Sequence, residues 1–268
     1  MNKKRNAKRN YRPLYFFLGV VLLIFIWDII YLSTEQNTFP EFFVTLGEMF
    51  KLMGKAKVWQ ALGFSFYRLI LTTVIVTIAG TLLGLLAAYF PPVEQILKPL
   101  IYILTCFPTA SLILFFIIYT DLTCYLLIGV VTLPIIYKAV LGGGKIILNR
   151  YKDPIATEGR YSNKNLISVV LPLSLPYVFI GLAQSLGLGL KIEIMGEIFI
   201  SNNHFIGIGK MINDAYQVLD MVQLFGLTMF AIVAMIVVDL GVYFIKRWLF
   251  KKYGTEPVKV FSLKATNF

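Results

Sequence analysis

The chain has 268 residues, of which 58% are hydrophobic and only 15% charged, with a mean hydropathy of +0.76. Such usage excludes an ordinary soluble domain and points to a polytopic membrane protein. The net charge of +11 would suit a nucleic-acid partner, but the Lys and Arg residues gather in a few segments between apolar runs, as the positive-inside rule requires, so no nucleic acid is expected.

Residues 1–13 form a basic N-terminal segment carrying Lys3, Lys4, Arg5, Lys8, Arg9 and Arg12. The apolar run behind it, Leu14 to Leu32, has the length of a full span and no small-residue cleavage site, so it is expected to stay as the first membrane helix. Asp28 lies near its outer end. Between Ser33 and Ala61 the charges cancel, and Phe42, Leu46, Met49, Phe50 and Met53 recur at helical spacing. That pattern predicts an amphipathic helix along the outer surface, closing a segment that covers residues 14–61.

A core of five further spans is expected over residues 62–250. Phe64 to Phe90 is the second span, with Gly80 and Gly84 at small-xxx-small spacing and Ala87 and Ala88 below, which lets helix backbones approach in lipid. Pro91-Pro92 stops it, and Glu94 to Lys98 reads as a turn. Pro99 to Thr120 is the third span, kinked by Pro108. Asp121 marks a tight turn. Leu122 to Leu141 is the fourth span, containing Pro134 and ending in a flexible Gly142-Gly143-Gly144. A basic stretch follows with Lys145, Arg150, Lys152, Arg160 and Lys164. Ile167 to Leu190 is the fifth span, and Lys191 to Met221 a mildly acidic outer segment whose first part could be re-entrant. Val222 to Ile245 is the sixth, with Asp239 in its last two turns, and residues 251–268 are a tail. Six spans place both termini on the basic, cytoplasmic side. Cys106 and Cys124 sit in or beside apolar runs and read as buried small residues rather than a disulfide or metal pair.

Few residues carry chemistry. Gly142-Gly143-Gly144-Lys145 lacks the following Ser or Thr and the preceding Gly of a phosphate loop. His204 is the only histidine, so no paired-His metal site can form. Neither a nucleophile elbow nor a zinc-protease motif occurs, and no catalytic residue or bound cofactor is expected. Glu193 and Glu197 are four apart and share a helical face. If buried they must either pair or line a watery path or gate.

The stretch from Asp153 to Pro176 interrupts the apolar pattern. Asp153-Pro154 is a helix start, since the carboxylate can accept from first-turn amides and Pro needs no partner there. Gly159 can close that helix with a left-handed cap, and Ser162 or Asn163 can start the next.

Placed between the fourth and fifth spans, this stretch resembles the cytoplasmic signature of the permease subunits of ATP-binding-cassette importers. In that signature Glu-Ala-Ala is followed, after three residues, by Gly and then by an aliphatic-x-Leu-Pro. Gly159, Val169, Leu171 and Pro172 occupy those positions, Asp153 takes the Glu place, and Pro154 and Ile155 replace the two alanines. Phe39-Pro40, Ser65 to Leu69 with Arg68, Pro99, Phe107-Pro108-Thr109-Ala110, Leu175-Pro176, Gly181-Leu182, Glu197 and Gly207-Ile208-Gly209 are similar to the nitrate/sulfonate/taurine-type branch. The resemblance covers about residues 39 to 250.

The resemblance implies an all-α membrane protein of the type I importer (MetI-like) permease fold, with a coupling helix between helices four and five, in a bacterial plasma membrane. It implies ATPase coupling through Asp153, Ala156, Glu158, Gly159, Leu171 and Pro172. It also implies a translocation path or gate at Pro108, Glu193, Glu197, Gly207 and Gly209. Partners would be ABC ATPase subunits, an extracytoplasmic solute-binding protein, a second permease copy in a homodimer, and membrane lipid. ATP and magnesium would be used by the ATPase, and this chain would hydrolyse nothing. The cargo of the branch is a small anion such as a sulfonate, taurine, nitrate or bicarbonate, or a vitamin precursor. A self-sufficient secondary carrier is the competing reading; it would favour an internal repeat and mid-membrane ionisable groups, and the sequence shows no repeat.

Overall fold

A computed structural model describes residues 12–34, 38–151, 166–200 and 205–253. The coupling residues Asp153, Ala156, Glu158 and Gly159 lie outside them. Among the described residues the chain is all helix: α1 (Arg12–Ser33), α2 (Phe42–Met53), α3 (Ala56–Tyr89), α4 (Pro91–Cys106), α5 (Thr109–Tyr119), α6 (Thr123–Arg150), a π-helical turn (Leu166–Val170), α7 (Leu171–Phe199), α8 (Ile208–Gln217) and α9 (Met221–Tyr253). Four of these, α3, α6, α7 with the turn before it, and α9, are long and apolar enough to cross a membrane. The bent pair α4 and α5 makes a fifth crossing if it is one span, and α1 adds a shorter apolar helix over Phe17–Ser33.

Three helices form the centre, and small residues set their distance. Gly80 and Gly84 of α3 lie against Ile136 and Val140 of α6, and Ala88 against Gly144. Both helices advance by four residues per contact, so they run parallel, with the small-xxx-small row of α3 seated on α6 as its spacing predicted. A Cβ on Gly84 would come within 2.9 Å of the Val140 side chain. α7 runs the other way across both. Its Gly189 meets Leu69 of α3 and Ile128 of α6, while Gly181 meets Ile136 and Ala139.

The glycine run does not end α6 loosely, as the sequence implied. The helix continues through it to Arg150 because the missing side chains are where its neighbours sit: Gly143 packs directly on the Tyr177 ring and Gly144 on Ala88. Glu94 to Lys98 is likewise not a turn. Pro91 starts α4 at a position where its absent N–H is not needed, and Pro99 falls inside that helix rather than opening a span. At Pro108 the chain does more than kink. Phe107 and Pro108 are extended, and α4 and α5 meet at 95°. The fifth span reaches Phe199 and not Leu190; the sixth, Met221–Ile245, falls where the sequence put it, and its helix continues to Tyr253. Asp239 stands in the last two turns of that span, with its carboxylate against Gly187 of α7.

α2 packs through Met49 and Leu52 onto α9 beside Gly226, while Phe50 faces outward and is not on the buried stripe. Trp27 of α1 donates its indole N–H to the Pro40 carbonyl at 3.1 Å and meets the Phe39 ring at a tilt and the Phe225 ring edge-on. The Phe39-Pro40 pair thus joins α1, α2 and α9. Both cysteines are free; Cys124 is buried as expected, but Cys106, the last residue of α4, is exposed.

Candidate functional site

The only charge between Lys57 and Glu94 is Arg68, three turns into α3. A lone guanidinium in an apolar run needs an acceptor inside the protein. α7 brings two. Glu193 and Glu197, one turn apart on one face, both point at α3 and are fully buried. Arg68 Nε donates to Glu193 Oε1 at 2.6 Å, and Arg68 Nη2 donates to Glu197 Oε1. The same Nη2 reaches the Ile206 carbonyl at 3.0 Å, and the Phe205 ring lies 4.4 Å from the guanidinium carbon. Face-on contact of this kind suits the planar cation.

The N-terminus of α8 completes the site. Gly209 N–H donates to Glu197 Oε2 at 2.7 Å, where an anion is favoured by the free amides of a helix start. Ser65 Oγ donates to Glu197 Oε1 at 2.6 Å and accepts from Ile208 N–H at 3.2 Å. Glu197 is therefore held from α3 and α8 at once. Glu193 is held by Arg68 alone, and its Oε2 has no partner among the described residues. A nearby second pair, Lys210 with Asp214 at 2.6 Å, lies within α8 itself.

Space explains Gly207-Ile208-Gly209. A Cβ on Gly207 would fall 2.5 Å from the Glu197 carboxylate. One on Gly209 would strike the Ile194 carbonyl and the Glu197 side chain. Both glycines are required for close approach of α8 to α7; Gly207 has an extended backbone that any residue could adopt.

Of the residues singled out in the sequence, Glu193, Glu197, Gly207 and Gly209 meet in this cluster. Pro108 does not; it stands at the α4–α5 break. Leu171 opens α7 and packs beside Val170 and Val178, and Pro172 in the same turn is exposed. Sequence reasoning did not identify Arg68 as the partner of the two glutamates, nor the parts played by Ser65, Phe205 and the Ile208 amide. The usable signal was the isolation of Arg68 among apolar residues. Among the described residues no group of His, Cys, Asp and Glu has the arrangement of a metal centre. Two carboxylates gripped by one guanidinium, a hydroxyl and a buried amide can hold three helices together.

Two curated relatives, each called "Bicarbonate transport system permease protein CmpB", one from Synechococcus elongatus and one from a Synechococcus species, are 47% identical over 55 residues. The aligned stretch covers 20% of this chain and 19% of each relative's length. Residues 80–255, which include α6, α7, the glycine pair and α9, match the family described as "Binding-protein-dependent transport system inner membrane component". The chain therefore belongs to that family of inner-membrane transport permeases.

Proposed function

We propose that the chain is the transmembrane permease subunit of an ATP-binding-cassette importer for a small anion. The observation that carries this reading is the family match over residues 80–255. A second copy completes the translocation path, and a solute-binding protein delivers cargo on the side of α8. ATPase subunits dock on the other side, at the stretch between Arg150 and Leu171, with both termini on that side. The anion class is supported by the name of the bicarbonate relatives.

Helix α7 gives this reading a mechanical basis. Its 29 residues make a rod about 43 Å long. One end, Leu171-Pro172, adjoins the docking stretch. The other carries Glu193 and Glu197, tied to α3 and α8. Movement of the ATPase end is passed along the rod to the charge cluster and so to α8, which acts as part of the gate rather than as a surface for cargo, since both carboxylates are buried.

The test is uptake of labelled bicarbonate, taurine and nitrate by proteoliposomes holding the permease with its ATPase and binding protein. Uptake should need all three proteins and ATP. Uptake by the permease alone, driven by an ion gradient, would refute the reading in favour of a secondary carrier.

A further inference from the structure

Lys138 is a cation inside a candidate span with no carboxylate paired to it among the described residues. It lies two turns before Lys145 in α6, about 10 Å along the axis. α4 runs alongside in the opposite direction: its Glu94 meets Lys145 at 2.5 Å, and its Thr105 meets Lys138 at 3.0 Å. The Lys138 ammonium therefore lies farther from the Arg150 end of α6 than the Lys145–Glu94 pair, with its side chain exposed. No carboxylate lies within ion-pair distance of it among the described residues. Thr105 offers only a neutral oxygen, and its own proton goes to the Ile101 carbonyl at 2.7 Å. Two of the three ammonium donors have no partner among the described residues.

Thr105 is the polar group that the ammonium meets in an otherwise apolar stretch. Thr105, Cys106, Phe107 and Pro108 are exposed, as is Lys138. The break at Phe107-Pro108 exposes backbone that a continuous helix would satisfy, which lipid does not tolerate but a watery path does. A charged side chain within a span marks a pathway for the same reason.

We propose that Lys138, steadied by Thr105 at the lip of the α4–α5 break, is an intramembrane binding station for a singly charged oxyanion on the translocation path. The inference rests on the importer reading above and adds the residues that recognise the cargo's charge.

Cys106, exposed beside Thr105, is a native reporter that needs no transport. In membranes holding the full complex, anionic and cationic methanethiosulfonates are compared at this thiol, Cys124 being buried. The anionic reagent should react about threefold faster with wild type than with K138M, from the field of one local charge, with the cationic reagent reversed. Equal ratios in the two proteins, or no reaction with either reagent, would overturn the proposal. In the uptake assay K138M should lower bicarbonate uptake about tenfold, the worth of one charge-assisted hydrogen bond, and K138R should restore most of it. Unchanged uptake in K138M also overturns it, as does repair of K138M by D239N, which would show instead an ion pair with Asp239 of a second copy. If wild type takes up no anion, the cargo class in the functional reading fails, while the Cys106 rates still decide the charge at Lys138.

Discussion

The Arg68 cluster and the Lys138 site treat a charge on a long apolar helix in opposite ways. At the first, one cation meets two carboxylates, a carbonyl and an aromatic face, a hydroxyl and a backbone amide donate to one of those carboxylates, and both carboxylates are fully shielded. At the second, one cation meets a single neutral hydroxyl and stays exposed. A charge with all its partners inside the chain has little left to offer a ligand, and its loss is felt by the fold. A charge with unused donors contributes little to the fold and can exchange partners.

Substitutions should separate the two regions by stability before any transport is measured. Arg68→Met leaves two carboxylates buried without a cation and should destabilise the protein most, by about 3–5 kcal/mol, read as a fall in the thermal midpoint in detergent and in recovered protein. Replacing the whole cluster, R68M with E193L and E197L, should recover much of that loss, because apolar groups need no partner. Gly209→Val comes next, at about 1–3 kcal/mol, since its side chain would press on the Ile194 backbone, which cannot rotate away. Glu197→Gln should cost more than Glu193→Gln by about 1 kcal/mol, because Glu197 accepts from Ser65, Arg68 and Gly209 and Glu193 from Arg68 only. A larger effect at Glu193 would contradict the assignment of Glu197 as the centre of the cluster. Lys138→Met should change the midpoint least, within about 0.5 kcal/mol, as for an exposed side chain bonded to a single neutral hydroxyl.

Much of the architecture can be read from local pattern. The apolar runs locate the long helices, the four-residue steps of Gly80 and Gly84 announce a close helix contact, and Glu193 with Glu197 declare a shared face. What local pattern misses is partner choice. Arg68 and Glu193 are 125 positions apart, and nothing near either names the other. Helix ends are misread for a related reason. Glycine disfavours an isolated helix, so Gly142 to Gly144 looks like an ending. In the fold the absent side chains make room for Tyr177 and Ala88, and the packing outweighs the propensity. Pro108 reads as a kink because a proline inside a span usually gives one; the right-angled break is made by two extended residues, which the sequence does not distinguish. Lys138 carries no local signal of its own; its contact with Thr105 across to α4 sets it apart.

The most direct test measures thermal unfolding and ATP-driven bicarbonate uptake on the same preparations of wild type, R68M and K138M. The account predicts that R68M loses stability and uptake together, whereas K138M keeps its thermal midpoint and loses uptake. A K138M protein that transports like wild type, or an R68M protein as stable as wild type, would contradict the division between a charge cluster that holds the gate and a charge that receives the cargo.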